Sequence, residues 1–229
     1  MAYTYKFPRP SVTVDAVVFR MDDDALKVLL IQRGHPPHQG AWAFPGGFIE
    51  MDEDLKDAAT RELREETGLK VRHLEQLHTY GAVDRDPRGR VITVAYLALV
   101  KPNHNRIKAD DDARNAAWFN VDDVPKLAFD HPQVLAMALA ELKTKARRQP
   151  IAFELFPAKF TLTQLQRVYE LLLKQRFDKR NFRKKIIATE VLIELNEVQA
   201  NVAHRAARLY RFDKKKCRQQ VRQGIDFEI

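Results

Sequence analysis

The sequence predicts a mixed α/β domain followed by a smaller and strongly basic domain built mainly from helices. Three observations support this. Short runs of alternating or β-branched residues surround one well-marked helix in the first two thirds of the chain. A stretch at 147–159, with two prolines and no clear period, separates the two parts. The net charge of +8 lies entirely beyond residue 150, because residues 1–150 carry 22 basic and 22 acidic residues and residues 151–229 carry 17 and 9. We therefore predict domains at 1–148 and 160–229, joined by a linker at 149–159.

The first domain is predicted to contain several strands and two helices. Alternating or β-branched residues predict strands at 11–19, 26–33, 74–83, 90–100 and 116–121. A closing helix is expected at 131–146, where Pro132 falls in the first turn and apolar residues recur at helical spacing. Residues 121–131 are predicted to form a turn-rich segment. This pattern indicates a mixed α/β domain.

The other helix of this domain follows the glycine-containing loop Pro45-Gly46-Gly47. Asp52 or Glu53 is predicted to cap its start, and Gly68 supplies the left-handed position after its end. Leu55, Ala58, Ala59 and Leu63 form a narrow apolar stripe that can pack on a sheet. The two glycines allow the backbone of the loop to come close to a ligand.

Three glutamates lie on one face of this helix. Glu62, Glu65 and Glu66 are separated by three or four positions, where like charges repel by about 0.2–0.5 kcal/mol per pair. They could form an ordinary solvated face. A hard divalent cation such as Mg²⁺ or Mn²⁺, which prefers oxygen ligands, accounts better for their concentration.

The whole segment resembles the Nudix box, G-x5-E-x7-R-E-U-x-E-E-x-G-U. Gly47, Glu53 and the run from Arg61 to Leu69 satisfy every specified position. The resemblance implies the Nudix α/β/α sandwich and metal-dependent hydrolysis of a nucleoside diphosphate linked to another group. It also implies that Mg²⁺ or Mn²⁺ binds the side chains of Glu62, Glu65 and Glu66, with the Gly46 carbonyl as an additional ligand.

The remaining catalytic roles follow from the same resemblance. Arg61 would orient the carboxylates, and Glu53 would either hold Arg61 or bind a further metal through water. The general base is left open between Glu62 and Glu66. The predicted substrate contacts are Arg33, Phe44, Gly47, Arg88 and Arg90. Arg33 could equally be an exposed surface residue, Phe44 a core aromatic, and His131 a structural residue.

The second domain shows the outline of a winged helix-turn-helix. Thr161 and Gln164 form a capping-box signature at the start of one helix, and Asp178 is a plausible N-cap for the next. That second helix carries cations near its start, with Phe182, Ile186 and Ile187 predicted to pack inward, and a basic strand is predicted at 204–216. The predicted DNA contacts are Lys179, Arg180, Asn181, Arg183, Lys184, Arg208 and Arg211. A solvated basic tail or a dimerisation domain remains an alternative.

The segments FTLTQLQRVYE, DKRNFRKK and ARLYRF are similar to the C-terminal domain of Nudix-related transcriptional regulators of NAD metabolism. This resemblance implies recognition of ADP-ribose and double-stranded DNA by a homodimer. The box is often degraded in that group, whereas this chain retains all of it. We therefore expect Mg²⁺-dependent hydrolysis of ADP-ribose to AMP and ribose 5-phosphate, coupled to DNA binding. The alternative is a sensor of ADP-ribose with little or no hydrolysis.

The composition indicates a soluble, cytoplasmic protein. The sequence contains no run of eighteen apolar residues and no recognisable signal or transit peptide at its start. Its single cysteine, Cys217, excludes an internal disulfide and a cysteine-rich zinc site. We expect Cys217 to be an inert surface thiol, and we assign no role to His204.

Overall fold

The computed structural model describes residues 4–22, 25–102, 107, 113–151, 155–200 and 206–223. The chain forms two compact units. The first consists of Met1–Phe19, Lys27–Leu99 and Asn103–Ala138, and the second of Arg20–Leu26, Val100–Pro102 and Leu139–Ile229. No helix in the described part of the chain is long and apolar enough to cross a membrane. His204 lies outside the described residues.

A mixed sheet carries the candidate active-site segment. Its strands are β1 (Ser11–Asp22), β2 (Ala25–Arg33), β3 (Trp42–Ala43), β4 (Gly46–Phe48), β5 (Glu75–Tyr80), β6 (Val91–Val100) and β7 (Ala113–Asn120). The main path runs in the order β3-β2-β1-β6-β5, while β4 pairs with β1 and β7 with β2. Long apolar stretches of β1, β2 and β6 are buried, because branched side chains pack well on a pleated surface.

The helix after the glycine loop, α1 (Leu55–Thr67), begins slightly later than predicted. Its N-cap is Asp54, whose side chain makes no capping hydrogen bond. The proposed caps Asp52 and Glu53 were wrong; the Glu53 carboxylate instead accepts hydrogen bonds from the backbone N–H of Glu50 and from Arg61. The helix ends as predicted at Gly68, which has φ 68° and donates its N–H to the Arg64 carbonyl. Ala58, Ala59 and Leu63 are buried.

Pairing of β4 with β1 fixes the glycine loop in place. Gly46 is paired with Asp15 and Gly47 with Val14, in an antiparallel register. Both glycines were predicted to lie in a loop, but they belong to the short strand β4. Its position brings the start of the box next to a buried central strand, and α1 then crosses back to the same region.

The other predicted strands and the closing helix are present, with shifted ends. The strand predicted at 74–83 is shorter, Glu75–Tyr80, and the one predicted at 116–121 starts earlier. The closing helix, α2, spans His131–Arg148. The segment before α2 is held by a bridge between Leu127 and Trp42 and by the Ala128 N–H, which donates to the Trp42 carbonyl.

The second unit has the predicted helix-helix-wing order. Its elements are α3 (Leu162–Leu173), α4 (Lys179–Ala188), β8 (Leu192–Val198), β9 (Arg208–Phe212) and α5 (Lys214–Gln223). Thr161 and Gln164 form the complete capping box at the start of α3. At α4 the Asp178 side chain accepts a hydrogen bond from the Asn181 N–H over 2.8 Å. Both predicted caps are confirmed.

Three expectations for this unit were wrong. Ile187 was expected to pack inward, but its relative exposure is 52% because the buried face of α4 is formed by Phe182 and Ile186. The strand predicted at 204–216 stops at Phe212, and α5 begins two residues later. Cys217 lies on α5 and is fully buried rather than on the surface, and burial raises the pKa of its thiol to about 12.

Candidate functional site

Arg61 is the centre of a network that gathers the acidic side chains of the box. Its guanidinium donates two hydrogen bonds to the Glu53 carboxylate, over 2.6 and 3.0 Å. It also donates to Glu62 over 2.8 Å and to Glu65 over 3.1 Å. These charge-assisted bonds raise the pKa of Arg61, with the bond to Glu53 as the largest cause. That Arg61 orients the carboxylates for catalysis stays a prediction, which these contacts support.

The three carboxylates of the predicted metal site differ in their exposure. The Glu65 side chain is 46% exposed, whereas Glu62 is largely covered and Glu66 is buried. Burial raises the pKa of Glu62 despite its bond to Arg61. The pKa of Glu66 is raised to about 8, mainly by burial and also by the neighbouring charge of Glu62, against the hydrogen bond from the Gly46 N–H, which lowers it. Two partly desolvated carboxylates with raised pKa values are a common feature of functional sites.

The glycine loop touches both buried carboxylates. The Gly46 N–H donates to the Glu66 carboxylate over 2.8 Å. A methyl group at Gly47 would lie 2.3 Å from Oε1 of Glu62, and one at Gly46 would lie 2.1 Å from the carbonyl oxygen of Val14. Both positions therefore require glycine for close approach. Gly47 leaves room for a carboxylate, and Gly46 leaves room for the neighbouring strand.

A cleft opens beside this loop. It is lined by the glycines, by aromatic residues and by charged residues of both signs: Thr13, Asp15, Arg33, Phe44, Gly46, Gly47, Phe48, Arg85, Asp86, Arg88, Phe129 and His131. Of the predicted substrate contacts, Arg33, Phe44, Gly47 and Arg88 lie in this lining. Burial lowers the pKa of Arg33, and the charge of Arg88 lowers it further. Two cations that repel each other in one cleft favour an anionic ligand.

Arg90, the fifth predicted substrate contact, is not among the residues that line the cleft. Its guanidinium donates to the backbone carbonyls of Gly81 over 2.6 Å and Ala82 over 3.1 Å. In this structure Arg90 therefore stabilises the loop that precedes it. Its contact with a substrate stays a prediction.

Two buried polar residues beside the cleft, Asp15 and Thr93, were not identified from the sequence. The Thr93 hydroxyl donates to the Asp15 carboxylate over 2.6 Å. Nδ1 of His131 accepts a hydrogen bond from the Phe44 N–H over 3.0 Å, so its proton is carried by Nε2, which lies 3.5 Å from Oδ1 of Asp15. Burial lowers the pKa of His131, which favours this neutral form. His131 thus has the structural surroundings that we expected.

The loop between β5 and β6 is anchored by ion pairs. Arg85 makes a bidentate, buried pair with Asp130, over 2.7 and 2.9 Å. The nearly buried Asp86 carboxylate holds the guanidinium of Arg88 at 2.7 Å. Arg88 and Arg90 of this loop were predicted to contact substrate, but partners 45 positions apart, such as Arg85 and Asp130, have no local sequence signal. These pairs fix the loop against the cleft.

The carboxylates match a divalent cation in the type of their donor atoms. Within the described residues, no three His, Cys, Asp or Glu side chains are already grouped so that they could hold a metal ion. Glu62 and Glu65 are bound to Arg61 instead. Oxygen-only donors, with Glu66 buried, Glu62 largely covered and the pKa of both raised, nevertheless suit a hard cation. On binding such a cation, Glu62 and Glu65 would replace part of their contact with Arg61 by contact with the metal.

The second unit presents cations on α4 and on the wing. Lys179, Arg180 and Lys184 are exposed, as is Asn181, whereas Arg183 is partly buried and donates to the Thr163 hydroxyl over 3.3 Å. On β9, Arg211 is exposed and Arg208 is paired with Glu194. The predicted DNA contacts therefore lie on helix α4 and on the wing strand β9. The charge of Arg208 is already balanced by the Glu194 carboxylate of β8.

A second cleft, of about 650 Å³, lies between α3 and the start of α4. Its lining includes four cations, Arg167, Lys174, Arg176 and Lys179, and a single carboxylate, Glu170. The first three have no recognisable sequence signal because they are spread over a helix and the following loop. Their grouping extends the positive surface of this unit beyond α4.

Comparisons with known proteins agree with both parts of the chain. A Nudix domain model matches residues 9–138, and a model of the NrtR DNA-binding winged helix domain matches residues 152–212. The ADPR responsive transcriptional repressor NtrR of Acinetobacter baylyi is 38% identical over 213 residues, which cover 90% of this chain and 83% of the relative. The ADP-ribose pyrophosphatase of Methanocaldococcus jannaschii is 40% identical over 126 residues, which cover 55% of this chain and 71% of the relative.

Solved structures give the same assignment. Shewanella oneidensis NrtR complexed with a 27mer DNA matches with a TM-score of 0.76 and 34% identity, covering 90% of this chain and 95% of that one. The Nudix domain of the same protein complexed with ADP ribose matches with a TM-score of 0.57 and 39% identity, covering 61% and 94%. A bifunctional NMN adenylyltransferase/ADP ribose pyrophosphatase from Francisella tularensis, complexed with AMP and manganese, matches with a TM-score of 0.52 and 32% identity. The match covers 60% of this chain and 43% of that one.

These matches confirm the resemblance first seen in the box and in the basic second domain. The Nudix model alone spans more than half of the 229 residues, and the repressor relative spans nearly all of them. The chain belongs to the Nudix family, in the group that joins a Nudix domain to an NrtR DNA-binding winged helix domain.

Proposed function

We propose that this protein hydrolyses ADP-ribose to AMP and ribose 5-phosphate, and that it also binds double-stranded DNA as a regulator responsive to ADP-ribose. One observation carries the enzyme proposal: every residue of the Nudix box is present, and Arg61 gathers its carboxylates beside the glycine loop. The relatives named for ADP-ribose, a repressor and a pyrophosphatase, support the choice of ligand.

The cleft offers complementary groups for such a substrate. Arg33 and Arg88 would bind the diphosphate, and the glycine loop would let the substrate approach the carboxylates. Glu62, Glu65 and Glu66, with the Gly46 carbonyl, would hold Mg²⁺ or Mn²⁺. When bound, this cation neutralises phosphate charge and lowers the pKa of a water molecule. Glu62 or Glu66 would then accept a proton from the attacking water.

Hydrolysis of ADP-ribose in the presence of Mg²⁺ tests the enzyme proposal. Glu65→Gln removes one ligand charge at an exposed position, so the fold should persist while kcat/KM falls by at least about tenfold. Asp57→Asn, an exposed carboxylate in the first turn of the same helix, is the matched control and should retain activity. If wild type shows no metal-dependent turnover of any nucleoside diphosphate compound, the enzyme proposal is wrong.

A second function, sensing without appreciable hydrolysis, is favoured by the extent of the matches. The relative that spans 90% of this chain is named a repressor, whereas the pyrophosphatase spans only 55%. Binding of ADP-ribose to the wild-type protein with no product formed would support the sensor. Turnover that depends on Glu65 would support the enzyme.

DNA binding is tested with the double variant Arg183→Ala/Lys184→Ala of the full chain. Cations that contact phosphates release counterions, so affinity for promoter DNA next to the gene should fall steeply with salt. The variant should bind more weakly and show a shallower salt dependence. Lys70→Ala/Arg72→Ala removes the same charge from exposed positions of the Nudix domain and should bind like wild type. Equal loss in both variants would point to general charge attraction.

We further propose that the protein is a homodimer, because a two-fold regulator can address paired half-sites. We also propose that residues 149–159 form the linker between the domains. A regulator of this kind would act in the cytoplasm, where it meets the chromosome and free nucleotides.

A further inference from the structure

Phe129 is an unusual residue in the wall of the active-site cleft. It lies between β7 and α2, and its backbone has φ 51°, in the left-handed region that bulky residues rarely adopt. No role follows for it from the Nudix box. Backbone strain of this kind persists where the surrounding structure imposes it, and it is concentrated at ligand sites.

The segment around Phe129 is held from both sides. Before it, the Ala128 N–H donates to the Trp42 carbonyl over 2.8 Å. After it, the buried pair between Arg85 and Asp130 fixes the next residue. The Asp130 carbonyl also accepts hydrogen bonds from the first turn of α2. The position of the Phe129 ring is therefore set by its surroundings rather than by its own backbone preference.

The guanidinium groups of two arginines contact the Phe129 ring. The Arg33 guanidinium carbon lies 4.8 Å from the ring centroid, and that of Arg88 lies 5.7 Å from it. Arg88 also lies over Phe48, at 4.8 Å. The electron-rich face of an aromatic ring attracts such cations. The Asp86 carboxylate is paired with Arg88 at 2.7 Å, and the ring, which contacts both guanidinium groups, adds to this by offsetting part of the repulsion between them.

Packing alone is the simpler explanation for Phe129. Its ring contacts a buried cluster formed by Ile31, Ala43 and Ala128. An apolar filler for that cluster would not need an aromatic face, and it would not need a left-handed backbone that turns the ring toward two arginines. Packing alone therefore does not explain the contacts of the ring with Arg33 and Arg88.

We propose that Phe129 is a positioning residue that holds the guanidinium groups of Arg33 and Arg88 together, so that both meet the diphosphate of the ligand. This inference rests on the proposed function, since it requires a nucleoside diphosphate in the cleft. The substrate preference that follows is for two linked phosphates over one, because a single phosphate needs only one of the two cations.

Binding of ADP-ribose and of AMP, measured by calorimetry with EDTA and without metal, tests the proposal in the full chain. Phe129→Leu should weaken ADP-ribose binding by about tenfold and AMP binding by no more than about twofold. Phe129→Tyr keeps the ring face and should restore ADP-ribose affinity. Phe119→Leu, which breaks the ring contact with Trp42 outside the cleft lining, is the matched control and should bind like wild type.

A double-mutant cycle identifies the route by which Phe129 acts. If it acts through the arginines, Phe129→Leu should have little further effect in an Arg33→Ala/Arg88→Ala background. Phe129→Asn, which tolerates the left-handed backbone, gives the same test should the leucine variant fail to fold.

The outcomes separate the two proposals. Equal losses for AMP and ADP-ribose, or full ADP-ribose affinity in the leucine and asparagine variants, would overturn the role of Phe129 and leave the proposed function intact. Failure of the wild-type protein to bind ADP-ribose in EDTA would overturn the role of Phe129, whereas failure to bind it in the presence of Mg²⁺ as well would overturn the proposed function too.

Discussion

Gly46 and Gly47 are adjacent, yet a methyl group added at each would meet a different kind of neighbour. At Gly46 the neighbour is the backbone carbonyl of Val14, in a paired strand that cannot move away cheaply. At Gly47 it is the end of the Glu62 side chain, which can rotate. One glycine therefore serves the fold, and the other serves the placement of a carboxylate.

We predict that the two alanine variants differ in which property they lose, stability or activity. Gly46→Ala should lower the free energy of unfolding by about 2 kcal/mol or more, because the strand pair must shift. Gly47→Ala should stay folded with nearly wild-type stability but lose at least about tenfold in kcat/KM, because Glu62 is displaced. Urea denaturation and ADP-ribose hydrolysis measure the two quantities. Equal destabilisation by both substitutions would contradict this reasoning.

Glu66 leads to a prediction about pH in the metal-free protein. Burial raises its pKa from 4.5 to about 8, so between these values the folded state binds a proton that the unfolded state has lost. The contribution of Glu66 to the free energy of unfolding should therefore be largest below about pH 4.5. It should decrease as the pH rises toward 8. A pKa that differs by one between the folded and unfolded states changes the free energy of unfolding by about 1.4 kcal/mol.

Thermal unfolding in EDTA, between pH 5 and 8, measures this effect. Glu66→Gln cannot ionise, so the variant should lose less stability over this range than wild type. Added Mg²⁺ should raise the melting temperature of wild type most at high pH, where the carboxylate is ionised. A pH dependence that is identical in the two proteins would show that Glu66 is not the responsible group.

Among the elements, those with strong local signals were predicted well. The long strands, α1 and the capped helices of the second domain have clear periodicity or caps, and the structure contains them. The strands β3 and β4 have two and three residues, too few to show a period. Helix α5, KKKCRQQVRQ, was missed because its apolar face consists of very few residues.

The candidate site was predicted in the same uneven way. Residues of the box lie close together in sequence, so Arg61 and its carboxylates could be identified directly. The Phe44–His131 hydrogen bond joins residues 87 positions apart, and only the fold brings them together. The segment LAFDH resembles the related regulators, but no role for Phe129 itself could be assigned, since an isolated aromatic residue before a helix is ordinary. Long-range pairing is what the sequence pattern could not supply.

The capping box of α3 gives a prediction at this scale. Thr161→Ala removes the side chain that accepts from the Gln164 N–H, and it should lower the free energy of unfolding by about 1 kcal/mol. Thr144→Ala, at an exposed threonine of α2 whose hydroxyl donates to the Ala140 carbonyl within its own helix, is a suitable control and should change this free energy little. Chemical denaturation of the full chain gives both values, and an equal change in the two variants would argue against the cap.

At the scale of the whole molecule, charge and chemistry are divided between two domains. The Nudix domain is neutral overall and contains the acidic box, whereas the winged helix holds the excess of eight positive charges. This division suits one module that handles a small anionic ligand and another that contacts DNA. A protein that both senses and destroys its ligand would respond only for a limited time.

We therefore predict a transient response to ADP-ribose. After one addition of ADP-ribose in the presence of Mg²⁺, the DNA affinity of wild type should change and then return as the ligand is hydrolysed. In Glu65→Gln the change should persist, because hydrolysis is slowed. Fluorescence anisotropy of labelled DNA follows both time courses, and replacing Mg²⁺ with EDTA should make wild type behave like the variant. A persistent change in active wild type would mean that hydrolysis products also act on the DNA-binding state.

The enclosed thiol of Cys217 has a practical consequence. It is the sole sulfhydryl of the chain, and its environment keeps it protonated at neutral pH. A thiol-specific dye should therefore label the native protein only when α5 detaches. The labelling rate then measures how often the winged helix opens locally.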